Sequence, residues 1–487
     1  MKGLPISRRC LWHARLQTAT RRLVFLGASE QRSATFTSDK GVLAMKCQIT
    51  ELVEQTPFID THEHFIEESQ RLSGVLDEGL SCDDWTYWVR EYVARDLAVV
   101  GMPKGELRSF LGPDLSSEAK YRLVAPYWDR IRHTGYAQAV RYTLRGIYDE
   151  DDLTAESVPR IAEKYRETIQ PGFYAAILRR ANIENCQVNS LQRIFMETEQ
   201  PELLAQDLRI LEFSRCSAAD IARVHAETGK EPTRLDDWLD IIDFYFDTYG
   251  PRAVAVKCQI AYSRSLNFAS VAKAHAARLF LHHIGEMRHD PGPDDLKSLQ
   301  DFLFRYCVAR ATERGLPVKL HTGIVGGHGM LQLARTRNNA ADLCRLLLDF
   351  PDTRFVLMHI GYPYEQEYIA LAKHYPNAWI DMCWAWIINP AASVRFLKEF
   401  LLAAGSSKIF TFGGDYVAVE PVYGHACIAR GGIAQALSEL VAEGWIAFED
   451  TPVLIERIMR GNALCFFSKE PKDRVPLTDR SVAIPSE

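Results

Sequence analysis

The sequence predicts an α/β fold, a (β/α)8 barrel of the TIM type with a large helical insertion after the first strand, and three observations carry that reading. Short apolar runs alternate with helix-like stretches along the second half of the chain, the pattern of a parallel sheet with crossover helices. With the first run at Phe58 to Asp60 the candidates number eight, the count at which such a sheet closes. Several runs end in His or Asp, and in a closed barrel those C-terminal ends ring one mouth where chemistry is carried out.

Residues 1–44 stand apart: Arg8, Arg9, Arg15, Arg21, Arg22 and Arg32 face only two acids, Glu30 and Asp39, among frequent Ser and Thr. That composition suits either a mitochondrial transit peptide or translation from an upstream start with Met45 as the functional first residue. The segment is expected to be disordered or a targeting segment outside the core, and residues 45–487 to form the barrel. Localisation follows as cytoplasmic, or mitochondrial if the transit reading holds.

The first strand runs into Asp60-Thr61-His62-Glu63-His64. Alternate side chains of a strand point the same way, so His62 and His64 share a face with Glu63 on the other. Two imidazoles rarely hold a divalent ion alone, so further ligands are required. Residues 65–183 then read as helical and rich in aromatics, among them Trp85, Tyr87, Trp88, Tyr92, Trp128 and Tyr136. A connection that long exceeds an ordinary βα loop, so it is an insertion. It leaves the barrel at the mouth, where one or two of its aromatics are placed to touch substrate. Lys120 to Ile147 has helical spacing, and Thr154 is a cap candidate for the helix that follows.

The remaining strand candidates are Asn185 to Ser190, Asp207 to Phe213, Arg252 to Lys257, Leu316 to His321, Arg354 to His359, Asn377 to Asp381 and Lys408 to Gly413. Helices are expected at Ser217 to Thr228, Leu235 to Tyr249, Leu296 to Arg314, Ala340 to Phe350, Tyr364 to Tyr375 and Ala391 to Ala404. Ala426 to Ala442, Thr451 to Arg460 and Gly461 to Phe467 read as C-terminal helices packed on the barrel.

The chain of 487 residues has 47% hydrophobic and 25% charged residues, which is ordinary for a globular protein with a large core. A net charge of −6 gives no reason to expect nucleic acid or an anionic membrane as partner, and no apolar stretch is long enough to span a bilayer. Eleven Cys without Cys-X-X-Cys spacing argue against a disulfide scaffold or a structural zinc ribbon. Cys258, Cys307, Cys344, Cys383 and Cys465 read as small core residues.

In a closed barrel His62, His64, His321 and Asp415 meet at one mouth from the first, fifth and eighth strands, giving three nitrogens and a carboxylate. A single divalent ion there, zinc by preference, lowers the pKa of a bound water towards about 7 and supplies hydroxide to attack a carbonyl-type carbon. Asp415 is positioned to take the water's proton, and His359 to polarise the carbonyl or protonate a leaving group.

These residues, in this order, resemble the amidohydrolase superfamily. Leu320-His321-Thr322-Gly323, His359-Ile360-Gly361-Tyr362-Pro363 and Gly461-Asn462-Ala463 are similar to its amidohydrolase-related branch of mononuclear hydrolases and decarboxylases. The insertion and Trp384-Ala385-Trp386 are similar to uronate isomerases. The resemblance implies a metal-dependent hydrolase, with uronate isomerisation or non-oxidative decarboxylation as alternatives on the same metal site. Lys257 lies where binuclear members carry a carboxylated lysine, though the preferred role here is to pair with a substrate carboxylate or a nearby acid.

Arg264 and Arg430 are candidates for a substrate carboxylate. His328 and His425 are peripheral candidates, His282 and His283 ordinary helix residues, and Gly323 to Gly329 a loop beside His321 without a Walker lysine. The expected partner is a small, carboxylate-bearing molecule, and barrels of this size often form homo-oligomers. A barrel that has lost activity and only binds is the reading from outside enzymology.

Overall fold

The computed structural model describes residues 39–74, 84–285, 293–326 and 333–468. The transit-or-upstream segment therefore lies, except for Asp39–Ala44, outside the described residues, as does His328. A helix Asp39–Gln55 leads in, with Met45, Ile49 and Val53 buried on one face at helical spacing.

The strands are β1 Phe58–Glu63, β2 Ile183–Val188, β3 Leu204–Gln206, β4 Leu208–Arg209, β5 Val256–Cys258, β6 Val318–Leu320, β7 Phe355–Leu357, β8 Ala378–Asp381 and β9 Ile409–Phe410. All pairings are parallel, in the orders β1-β2-β3 and β4-β5-β6-β7-β8-β9. Only Asp207 separates β3 from β4, and its N–H donates to Val188 O at 2.8 Å, so the two pieces act as one strand joining both sheets. The ring closes between the ends of β1 and the segment after β9: Thr61 N–H donates to Phe412 O (3.1 Å), Asp415 N–H to His62 O (2.9 Å) and His64 N–H to Tyr416 O (2.8 Å). An eight-stranded barrel results.

β5, β6 and β7 are buried along their whole length, and their runs are apolar apart from one buried lysine each in β5 and β6, Lys257 and Lys319. The third strand differs from expectation: it starts at Leu204 and ends at Arg209, and Leu211 to Phe213, read as strand, belongs to the helix Leu211–Arg215. Six of the crossover helices fall within a few residues of their expected spans, for instance Leu235–Tyr249 and Pro390–Ala404. Ser217 caps its helix in a reciprocal box with Asp220, and Asn389 with Pro390 at the first turn starts another. Thr154 Oγ1 accepts the Ser157 N–H at 3.0 Å, ahead of the helix Ser157–Thr168.

Between β1 and β2 every described element is helical. This layer is joined to the C-terminal helix Glu420–Ala442 by a fully buried ion pair, Arg71 Nη2 to Glu420 Oε1 at 2.5 Å. The short helix Asn462–Phe466 packs Phe466 against Trp379 and Phe410 of the barrel. Cys258, Cys307 and Cys383 are core residues, whereas Cys344 and Cys465 are half-buried. Among the described residues no helix is long and apolar enough to cross a membrane.

Candidate active site

The closure of the ring brings the first and last strands' polar residues together. β1 is buried throughout, and its alternation sends His62 and His64 into the barrel mouth with their rings edge to face at 4.6 Å. Asp415 is held by its backbone bond to His62 O and has a left-handed φ of 62°, a conformation that turns its side chain out of the strand direction. Its Oδ1 lies 3.0 Å from His62 Nε2 and 3.2 Å from His64 Nε2. One ligand atom from each of the three lies within 4.8 Å of the other two.

This donor set fits a divalent ion. Ligands at about 2.0–2.1 Å in a tetrahedron stand roughly 3.3 Å apart, close to the separations found. His64 Nδ1–H donates to Asn189 O at 2.7 Å, which fixes the tautomer and leaves the Nε2 lone pair aimed at the shared point. Burial holds His62 well below the ordinary imidazole range and so keeps it in the neutral, ligating form.

His321 stands outside that group of three. Its Nε2–H donates to Ile324 O (3.0 Å) and its Nδ1 lies 3.0 Å from His359 Nε2. His359 in turn donates from Nδ1 to Cys383 O at 3.0 Å. With both outer nitrogens donating, the facing pair carries two lone pairs, an arrangement that needs a shared proton or a nearby cation. Burial lowers both groups, His359 to about 4. His359, expected to face substrate, is fully buried and does not line the cavity, whereas His321 does.

Lys257 is fully buried, its Nζ 3.4 Å from His62 Nε2 and 2.7 Å from Met358 Sδ. The expected acid partner is not at bonding distance. Asp207 is instead taken by Lys319, whose Nζ sits 2.9 Å from Asp207 Oδ2 and 2.8 Å from Thr61 O. Burial lowers the Lys257 ammonium.

The amidohydrolase family profile matches residues 213–469, a span that includes Lys257, His321, His359 and Asp415. The chain belongs to the amidohydrolase family. The matched part is over half of the amidohydrolase chain and leaves His62 and His64 to its N-terminal side. A fungal relative, protein fluG of Emericella nidulans, is 28% identical over 168 residues, 33% of this chain and 19% of that protein. The fold is similar to glucuronate isomerase from Caulobacter crescentus (TM-score 0.70, 16% identity, 92% of this chain and 99% of that one covered). It is likewise similar to uronate isomerase from Thermotoga maritima (TM-score 0.72, 13% identity, 89% and 100% covered).

The amidohydrolase's mouth opens into a cavity of about 780 Å³ lined by His64, His321 and Asp415. The insertion supplies part of its wall: Tyr92 stacks on Trp384 at 5.1 Å and on Tyr136 at 4.9 Å, and its hydroxyl donates to Asp415 O. Trp384 has a φ of 64° and lines the cavity, whereas Trp386 is buried with its Nε1–H on Thr411 O (2.8 Å). Glu91, also on the wall, accepts the Val417 N–H at 2.9 Å, and burial pushes its carboxyl up to about 8.

Two expectations for carboxylate recognition are corrected. Arg264 pairs with Asp301, and Arg430 donates to the carbonyls of Val53, Thr56, Ala181 and Asn182, so both are structural. His425 is buried against Gly414 O and Phe412, away from the cavity wall. The arginines that line the cavity are Arg90, Arg209, Arg215 and Arg223. Arg209 was open to inference because it ends a barrel strand. Arg215 and Arg223 lie on helices, where a charge ordinarily signifies a solvated face, and Arg90 lies in the turn between two short helices.

Proposed function

We propose that this enzyme of the amidohydrolase superfamily is a metal-dependent hydrolase acting on a carbonyl-type carbon of a small molecule. The observation that carries the reading is the meeting of His62 Nε2, His64 Nε2 and Asp415 Oδ1 beside a cavity at the C-terminal ends of barrel strands. A divalent ion, zinc by preference, supplies Lewis acidity and lowers the pKa of water when bound. His62 and His64 would hold it, with Asn189 O orienting the second. Asp415 keeps Oδ2 available as a proton acceptor for the attacking water. His321 presents its ring to the cavity, with Tyr262 tilted over it at 4.7 Å. Tyr92 and Trp384 exclude solvent from one side and pack the substrate's apolar part.

His62→Ala and Asp415→Ala are each expected to lose bound metal, measured by elemental analysis, together with turnover on a panel of amides and lactones. Full turnover by metal-stripped protein defeats the reading. Near one ion per chain also removes a second metal on a carboxylated Lys257.

Uronate isomerisation is the second reading, supported by fold similarity to a glucuronate isomerase over 92% of the chain and to a uronate isomerase over 89%. Ketose formation from glucuronate or galacturonate, with no hydrolysis of the panel, decides for it.

A further inference from the structure

Four guanidinium groups line the same cavity as His64 and Asp415 and reach it from separate places in the chain. Arg90 lies between the insertion helices Thr86–Val89 and Val93–Val99, Arg209 ends β4, Arg215 ends the helix Leu211–Arg215, and Arg223 lies in the helix Ala218–Thr228. Their ion-pair partners among the described residues are only Glu212 and Asp220, both buried. Arg209 is fully engaged, with Nε and Nη2 on Glu212 and Nη1 on Ser190 O. It is scaffold.

The other three retain unused donors. Arg215 places Nε and Nη2 on Asp220 and leaves Nη1 without a partner among the described residues. Arg223 spends Nη1 on Gln192 O and stands 3.9 Å from Glu212, which Arg209 already holds. The Arg90 side chain has no hydrogen-bonded partner among the described residues, although it too borders the cavity. Of the wall's own carboxyls, Asp415 belongs to the metal group and Glu91 is shifted towards its uncharged form by burial. Positive charge thus exceeds negative on this wall. Guanidinium forks match oxyanions in geometry as well as charge, and a confined cavity focuses their field.

We infer that the wall formed by Arg90, Arg215 and Arg223 is an anion subsite that grips a carboxylate or phosphate group of the molecule whose reacting carbon lies at His62, His64 and Asp415. The inference rests on the proposed hydrolase reading for the reacting end alone. The substrate class is therefore a small molecule with its reacting group at one end and an oxyanion at the other, and the subsite sets orientation.

The test uses the full chain stripped of metal, titrated calorimetrically with inorganic phosphate, succinate and acetate at constant ionic strength. Saturable binding of phosphate or of succinate is expected, and the stronger of the two identifies the anion. Arg90→Gln and Arg223→Gln are each expected to weaken it at least about fivefold, with melting temperatures near that of the parent. His62→Ala is expected to bind the anion as the parent does. No saturable binding, or binding that both arginine variants retain, overturns the inference, and so does loss of binding in His62→Ala. Metal retained by His62→Ala sinks the hydrolase reading without touching this one.

Discussion

Gly414 sits where no side chain fits: a Cβ there would lie 2.0 Å from Glu63 Oε1, and Glu63 Oε2 is fixed by the Tyr416 N–H at 2.7 Å. Glu63 and Asp60 form a buried acidic pair behind the ligands, and burial pushes Asp60 up to about 7 and Glu63 well above its ordinary range. Gly414→Ala must displace either that pair or Asp415, so a loss of about 1–3 kcal/mol in urea unfolding is expected together with weaker metal retention. His425 gives a pH signature. Burial lowers it to about 3, against an ordinary value near 6.5, so it is neutral in both folded and unfolded chains above that pH. As pH falls from about 6.5 towards 3 the unfolded chain takes up a proton that the folded one refuses, and stability drops. The fall in melting temperature from pH 6.5 to 4 should be shallower in His425→Gln, a slope comparison from which the opposing buried carboxyls cancel. At this scale the sequence made His62, His64 and Asp415 legible because each lies at or shortly beyond the C-terminal end of an apolar run, whereas the bonds of His359 to Cys383 O and His321 depend on a left-handed φ of 61° that no pattern announces.

The elements depend on a few buried polar ties between layers. Arg71, in the insertion helix Glu68–Ser73, pairs with Glu420 at zero side-chain exposure of both partners. Arg71→Met would strand the carboxylate, and a loss of about 3–5 kcal/mol is expected. Adding Glu420→Leu should recover most of that loss, and a double-mutant cycle in urea measures it. If the single variant is as stable as the parent, the tie is not what docks the insertion. Helices were well legible because their caps and apolar spacing are local signals, as at Ser217 with Asp220. The third strand was not, since a break of one residue at Asp207 and an immediate turn into Leu211–Arg215 erase the run that marks a strand. The same turn concealed Arg215 as a cavity residue.

Over the whole molecule, barrel closure and ligand convergence are one event. The backbone bonds that shut the ring, Asp415 N–H to His62 O and His64 N–H to Tyr416 O, belong to the proposed ligands or their neighbours. An ion that binds only the closed ring adds RT ln(1 + [L]/Kd) to stability, about 2.7 kcal/mol at a hundredfold excess over Kd. The melting temperature is therefore expected to rise with zinc concentration in the parent and to stay flat in His64→Ala. The barrel was readable in the sequence because short, mostly apolar runs alternate with helical stretches; the cavity was not, because its walls come from an insertion and from helices whose positions only the closed ring defines. That seam has a consequence for synthesis. Two of the three donors, His62 and His64, emerge from the ribosome some 350 residues before the third, so a nascent chain has no place for the ion until Asp415 has been made. A cation bound there would act as a clasp between the two ends of the barrel, and a fragment limited to residues 213–469 would carry only one of its three donors.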